Sequence, residues 1–192
     1  MIINASSYTS AIPVAPSDTI NIPGPSAKFT GATTAVVNTT GYMRDTNANF
    51  VTTYNANNTI NNEGVAPGMV VYNMYAMTAS NINAPAVATV LEVVDNNTLL
   101  LSADIFPFSG GVAVQDYKIF YSNEQDSPGA CIYVGGTGNV YVETIQGDLV
   151  FIEDIPAGDI IPVMVQKVLV GAGATGGTPN TLTSASKMIA YF

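Results

Sequence analysis

The sequence predicts an all-β fold of two small sandwich-like or barrel-like domains, and three observations carry that prediction. Apolar residues do not recur at helical spacing over any useful window, and Glu, Lys, Arg and Gln, the usual solvent-side helix formers, are scarce. Val, Ile, Thr, Tyr and Phe are abundant, and these side chains suit a pleated, half-buried surface. Gly, Pro, Asn and Asp interrupt the chain at short intervals, as in proteins built of many short strands.

Taken in order, Ser7–Val14 reads as an extended start, with Met1–Val14 as a free N-terminal arm. Pro13, Pro16, Pro23 and Pro25 follow closely, and proline keeps that stretch out of a central strand because it lacks the N–H. Thr33–Asn38 is a candidate strand, and the Asn-rich stretch Phe50–Asn62 reads as a loop. Gly64-Val65-Ala66-Pro67-Gly68 is a turn feeding the strand Met69–Met74. Ala86–Val94 and Thr98–Leu101 form a hairpin closed by Asp95-Asn96-Asn97, residues that tolerate positive φ. Asp116–Tyr121 is a further strand.

The polar run Ser122–Gly129, ending in Pro-Gly, is the strongest boundary signal. Beyond it Cys131–Val134, Asn139–Thr144, Leu149–Ile152, Ile161–Val170 and Lys187–Phe192 read as strands. Gly135-Gly136-Thr137-Gly138 and Gln146-Gly147-Asp148 read as hairpin loops. Asp154–Asp159 is a third connection, and Gly171–Ser186 a long Gly- and Thr-rich loop.

Composition narrows the function classes. The chain has 192 residues, 47% hydrophobic and only 10% charged, where soluble domains average about 25% charged. Its mean hydropathy is +0.28, yet it holds no apolar run of the roughly 18 residues that a membrane helix needs. The apolar surplus therefore points to a core and to contacts with other subunits. The net charge is −9, and the five basic residues Lys28, Arg44, Lys118, Lys167 and Lys187 are scattered. That argues against nucleic acid and against an anionic membrane surface, both of which need clustered cations. Cys131 is the single cysteine, so no intrachain disulfide can form. Met1–Asn4 lacks the basic and apolar regions of a signal peptide.

Two sets of motifs carry a resemblance. Ala15–Pro23, Cys131–Val140, Phe151–Val163 and Thr183–Phe192 together resemble the spike-base-like virion proteins of tailed phages and gene transfer agents. In that family the first piece lies close to the second; here about 100 residues separate them. The intervening Arg44–Phe50, Gly64–Asn73, Ala86–Phe106 and Tyr117–Tyr121 resemble a small β module of phage structural proteins. The resemblance implies a discontinuous base domain of residues 1–24 plus 129–192, with residues 25–128 inserted. Pro23-Gly24-Pro25 and Ser127-Pro128-Gly129 would be stiff crossing points.

No enzymatic chemistry is expected. The chain has no histidine, which removes Ser–His–Asp and Cys–His catalysis and histidine-ligated zinc. Cys131 lies in an apolar strand without a basic neighbour in sequence and reads as a small core residue. Gly135–Gly138 lacks the following lysine and helix of a phosphate loop. Glu153, Asp154 and Asp159, with Asp148, match no EF-hand spacing and read as solvated turn residues, with calcium the minor alternative. No catalytic, cofactor-binding or metal residue is assigned, and no cofactor is expected.

The resemblance implies a structural protein of a tailed-phage virion; the low charge and the extended arm point to a capsid decoration (cement) protein made in the host cytoplasm and carried on the capsid exterior, while the resemblance itself favours a vertex spike base. Its expected partners are the major capsid protein and copies of itself in a cyclic homo-oligomer, trimer or pentamer, and a spike or fibre protein. Ala11, Ile12 and Val14 are the expected anchors of an arm that adds a strand to a neighbour's sheet. Tyr72, Met74, Tyr75 and Met77 form an expected interface patch, since Tyr and Met are enriched at interfaces, with core packing equally open. The alternatives are a vertex spike or fibre base, a tail component, or a host-surface or glycan-binding module reading through Asn55–Asn62 and Asn81–Pro85.

Overall fold

The computed structural model describes residues 10–24, 26–34, 41–74, 87–106, 114–121, 129–171 and 182–192. The fold is all-β, with fourteen strands among the described residues. The chain divides into two compact units, one of Met1–Pro25 with Glu124–Phe192 and one of Ser26–Asn123.

The first unit is an antiparallel six-stranded sheet. Its strands are β1 (Ala11–Pro13), β10 (Ala130–Tyr133), β11 (Gly138–Thr144), β12 (Leu149–Ile155), β13 (Ile160–Leu169) and β14 (Ile189–Tyr191), in the order β1-β14-β10-β13-β11-β12. Directly paired residues share a face. Ile12, Ala190, Ile132 and Ile161 therefore line up across four strands, and all four are buried. Val140, Val142 and Val168 continue the buried side. Pro162 is accommodated inside β13 because β11 pairs only with the later half of that strand and the β10 ladder is bulged beside it.

The segment before this unit's boundary is tied to the same sheet. Ser17 N–H donates to Val168 O at 2.8 Å and Ile22 N–H to Gln166 O at 2.8 Å. The Ser17 hydroxyl accepts from the Thr19 and Ile20 amides. Asp18 Oδ1 accepts from the Val170 and Gly171 amides at 3.0 and 3.3 Å. The Pro-Ser-Asp motif is thus a clamp on the end of β13.

The loop Gly135–Gly138 is not a hairpin loop. β10 and β11 are separated by β13 and each runs antiparallel to it, so they are parallel to one another and the loop is a crossover past β13. It packs backbone against backbone on residues 183–187: Gly136 pairs with Ser186, and Ser184 and Ala185 both donate to Asn139 O. A Cβ on Gly138 would lie 2.5 Å from Ala185 N, and one on Gly135 would lie 2.7 Å from Lys187 O. Close approach, not phosphate binding, explains these glycines. The Gln146-Gly147-Asp148 connection does close a β11–β12 hairpin, with Gly147 at φ 87°.

The second unit holds β2 (Phe29–Ala32), β3 (Tyr42–Arg44), β6 (Val70–Asn73), β7 (Val87–Asp95), β8 (Thr98–Leu101) and β9 (Asp116–Phe120), in the order β2-β9-β6-β7-β8-β3. Val71, Ile119, Val90, Leu99 and Leu101 pack one face around Phe50, Met43 and Ile105. The other face of the central strands is also apolar: Tyr72 meets Phe120 edge-on at 5.3 Å, beside buried Val70 and Val87. β6 is therefore buried along its whole length.

Three expectations change here. Of the strand expected at Thr33–Asn38 only Thr33 and Thr34 are described, and they follow β2 instead of belonging to a strand, the Thr33 side-chain oxygen accepting from Gln115 N–H at 2.9 Å; residues 35–40 lie outside the described set. The stretch Phe50–Asn62 is not all loop. It holds a two-stranded ribbon, β4 (Thr53–Tyr54) with β5 (Ile60–Asn62), whose turn is capped by Asn55 Oδ1 accepting from the Asn57 and Thr59 amides. β3 was not anticipated and pairs with β8.

Candidate interaction surfaces

The expected arm anchors belong to the chain's own sheet. Ala11–Pro13 pairs with β14, and Val14 N–H donates to Met188 O at 3.0 Å. Ile12 and Val14 are buried inside the subunit, and Ala11 is exposed. The rest of the expected arm, residues 1–9, lies outside the described residues.

The expected patch divides in the same way. Tyr72 is a core side chain, 1% exposed, and Met74 is half-buried. Tyr75 and Met77 lie outside the described residues. Burial pushes the Tyr72 phenol well above its ordinary value.

The motif residues of the second unit serve its interior. Tyr117 donates its hydroxyl to Asp45 Oδ2 at 2.8 Å, and Asp45 Oδ1 accepts from Asn47 N–H at 2.9 Å. Burial and the adjacent Asp45 together raise the Tyr117 phenol far above its ordinary value. Gly31 leaves the room: a Cβ there would sit 2.8 Å from Asp45 Oδ2. Asn97 Nδ2 donates to Ala48 O at 2.7 Å, and Phe50 N–H to Asn96 O at 2.8 Å. The Asp-Asn-Asn turn after β7 thus clasps the Asp45–Phe50 segment. On β6, Asn73 Nδ2 donates to Ile105 O at 2.6 Å and to Gln115 Oε1 at 2.7 Å.

The residues weighed for chemistry fall apart in space or face solvent. Cys131 is half-buried, its sulfur 4.0 Å from Met164 Sδ. Asp148, Glu153, Asp154 and Asp159 are exposed. Among the described residues no group of three or more His, Cys, Asp or Glu is placed to hold a metal ion.

Among its described residues, what the first unit presents outward is an apolar sheet face and an unpaired edge. Tyr133 meets Tyr191 edge-on at 6.3 Å, and Tyr141 meets Phe151 at 6.1 Å. Beside the second pair Lys167 Nζ lies 2.9 Å from Glu143 Oε2. Ile145, Leu149, Val163 and Met164 are exposed. Among the described residues β12 is the last strand of the sheet and pairs only with β11. Sequence reading found this strand but not that it ends the sheet, since strand order depends on contacts distant in sequence. The second unit presents its ribbon, where Tyr54 and Ile60 are directly paired and 59% and 57% exposed. Set against known proteins, the chain matches no family model, no curated protein and no solved structure.

Proposed function

We propose that this chain is a structural subunit of a tailed-phage virion, a capsid decoration protein that stabilises the head from outside by surface burial. The observation that carries this reading is the outward side of the first sheet, with its two aromatic pairs, its exposed Leu149 and Met164 and, among the described residues, its unpaired edge. Apolar surface of this kind on a chain with 10% charged residues favours a life among neighbours over one in isolation. Residues 25–128 act as an inserted domain, and the first unit contacts the major capsid protein and sister copies in a ring. Weak contacts repeated over a lattice add up through multivalency. A vertex spike base, fibre base or tail component is the same chemistry at a lower copy number.

Quantitative mass spectrometry of gradient-purified particles, scaled to the major capsid protein, tests the proposal. Hundreds of copies per particle support decoration. A few tens move the subunit to vertices or tail, and absence from particles overturns the reading.

A host-surface module remains a second reading on one observation. The β4–β5 ribbon displays Tyr54 and Ile60 among five asparagines and no charge between Thr53 and Asn62, a chemistry suited to neutral glycans. Glycan-array binding lost on Tyr54→Ser would favour it.

A further inference from the structure

We propose that the free edge of β12 is a strand-addition site for an extended segment of another protein, one with an apolar centre and basic residues at both ends. This deepens the assembly reading and rests on it only for where the partner sits.

The outer strands of the two six-stranded sheets are not alike. β1, β2 and β3 are three or four residues long and carry Pro13, Gly31 and Arg44 respectively. Short length, proline, glycine and charge are the usual devices that blunt an edge. β12 has seven residues; its bulge and the charges of Glu153 and Asp154 blunt its far end, while its first four residues, Leu149-Val150-Phe151-Ile152, carry none of these devices. An apolar edge run left unblunted is either a hazard or a binding site.

The hydrogen-bond alternation shows what the edge presents. Thr144 N–H donates to Asp148 O at 2.9 Å, which makes that pair a bonded one. Bonded pairs alternate along an antiparallel ladder. Val142 with Val150 and Val140 with Ile152 are therefore bonded, and Leu149 and Phe151 turn their backbone N–H and C=O away from β11. Leu149 is 58% exposed. An added strand would extend both faces: Leu149 and Phe151 on the outer side, Val150 and Ile152 on the core side.

Charge selects the occupant. Asp148 precedes the apolar run and Glu153 and Asp154 follow it, all three exposed. Antiparallel pairing of two copies about Phe151 would bring Asp148 of one beside Asp154 of the other at both ends. The chain's net charge of −9 adds to that repulsion. A strand with Lys or Arg flanks meets the same edge with complementary charge at each end.

The test uses the full chain and a fluorescent nine-residue peptide of five alternating valines and threonines between paired lysines. Its twin carries glutamates in place of the lysines. Anisotropy titration is expected to give binding about tenfold tighter for the lysine peptide, a margin that shrinks as salt rises to about 0.5 M. Leu149→Pro removes an outward N–H without touching the β11 ladder. It is expected to weaken binding about tenfold with an unchanged circular dichroism spectrum, whereas Leu149→Ala stays within about threefold. Equal binding of the two peptides, full binding by Leu149→Pro, or no binding up to about 1 mM overturns the proposal. A dimer of the free chain that Leu149→Pro dissolves would assign the edge to a second copy and overturn it too. Particle copy number reads the assembly proposal separately: a silent edge on a chain found in particles sinks the edge alone, and a responsive edge on a chain absent from particles sinks the virion reading alone.

Discussion

The two compact units hold themselves together by different means. Apart from the buried Ser10 hydroxyl oxygen of the other unit, the buried polar or charged residues among those described, Thr33, Asp45, Asn73, Thr98 and Gln115, lie in the unit Ser26–Asn123. There the polar groups are inside and paired, with Asp45 on Tyr117 and Asn73 on Gln115. The other unit keeps its core apolar and is tightened at one end by backbone contact of Gly135, Gly136 and Gly138 with residues 183–187. A buried polar pair specifies one arrangement because any other leaves a donor or acceptor unpaired. Glycine contact specifies one by shape alone, since only a residue without Cβ fits. The first unit thereby has fewer polar groups to satisfy and can leave apolar surface outside.

Substitutions should expose that contrast. The largest effect is expected from Asp45→Ala, which leaves the buried Tyr117 hydroxyl and the Asn47 amide without their acceptor. A loss of about 3 kcal/mol in unfolding free energy, read by urea titration, is expected; a loss below about 1 kcal/mol would mean that the pair is not what specifies this unit. Gly138→Ala follows. Its new Cβ would lie 2.5 Å from Ala185 N, so the backbone must shift, at about 2 kcal/mol. No change in the urea midpoint would show that the 183–187 segment gives way freely.

The smallest effect is one of pH. Tyr72 and Tyr117 are held above their ordinary value in the fold, so the fold favours the neutral phenol. Unfolded tyrosines ionise near about pH 10. The stabilisation is complete below that pH and is lost as the pH climbs above it, at about 1.4 kcal/mol per pH unit for each tyrosine. Tyr72→Phe should remove about half of this alkaline slope, and an unchanged slope would show that Tyr72 does not titrate differently in the two states.

Some of this architecture was legible in residues alone. The β7–β8 hairpin was, because a Val- and Leu-rich run, an Asp-Asn-Asn turn and a return strand each point the same way. The β4–β5 ribbon was not, because Asn and Thr occupy positions that in a buried strand would be apolar. β3 was missed because three residues hold no readable period. The candidate surfaces were less legible still. Tyr72 and Ile12 carry the composition of an interface, yet their own sheets bury them. β12 was visible as a strand, but its exposure follows from its place at the end of a six-stranded order.

The sequence by itself determined the all-β class, the positions of most strands and the exclusion of histidine chemistry. These depend on residue type and on neighbours a few positions away. Tertiary structure decided which apolar residues are core and which are surface, that Gly135–Gly138 crosses β13 instead of closing a hairpin, and that β12 ends its sheet. Those outcomes depend on pairings such as Gly136 with Ser186 and Ile12 with Ala190. Residues so far apart in sequence are brought together by the tertiary fold, and no local preference encodes their meeting.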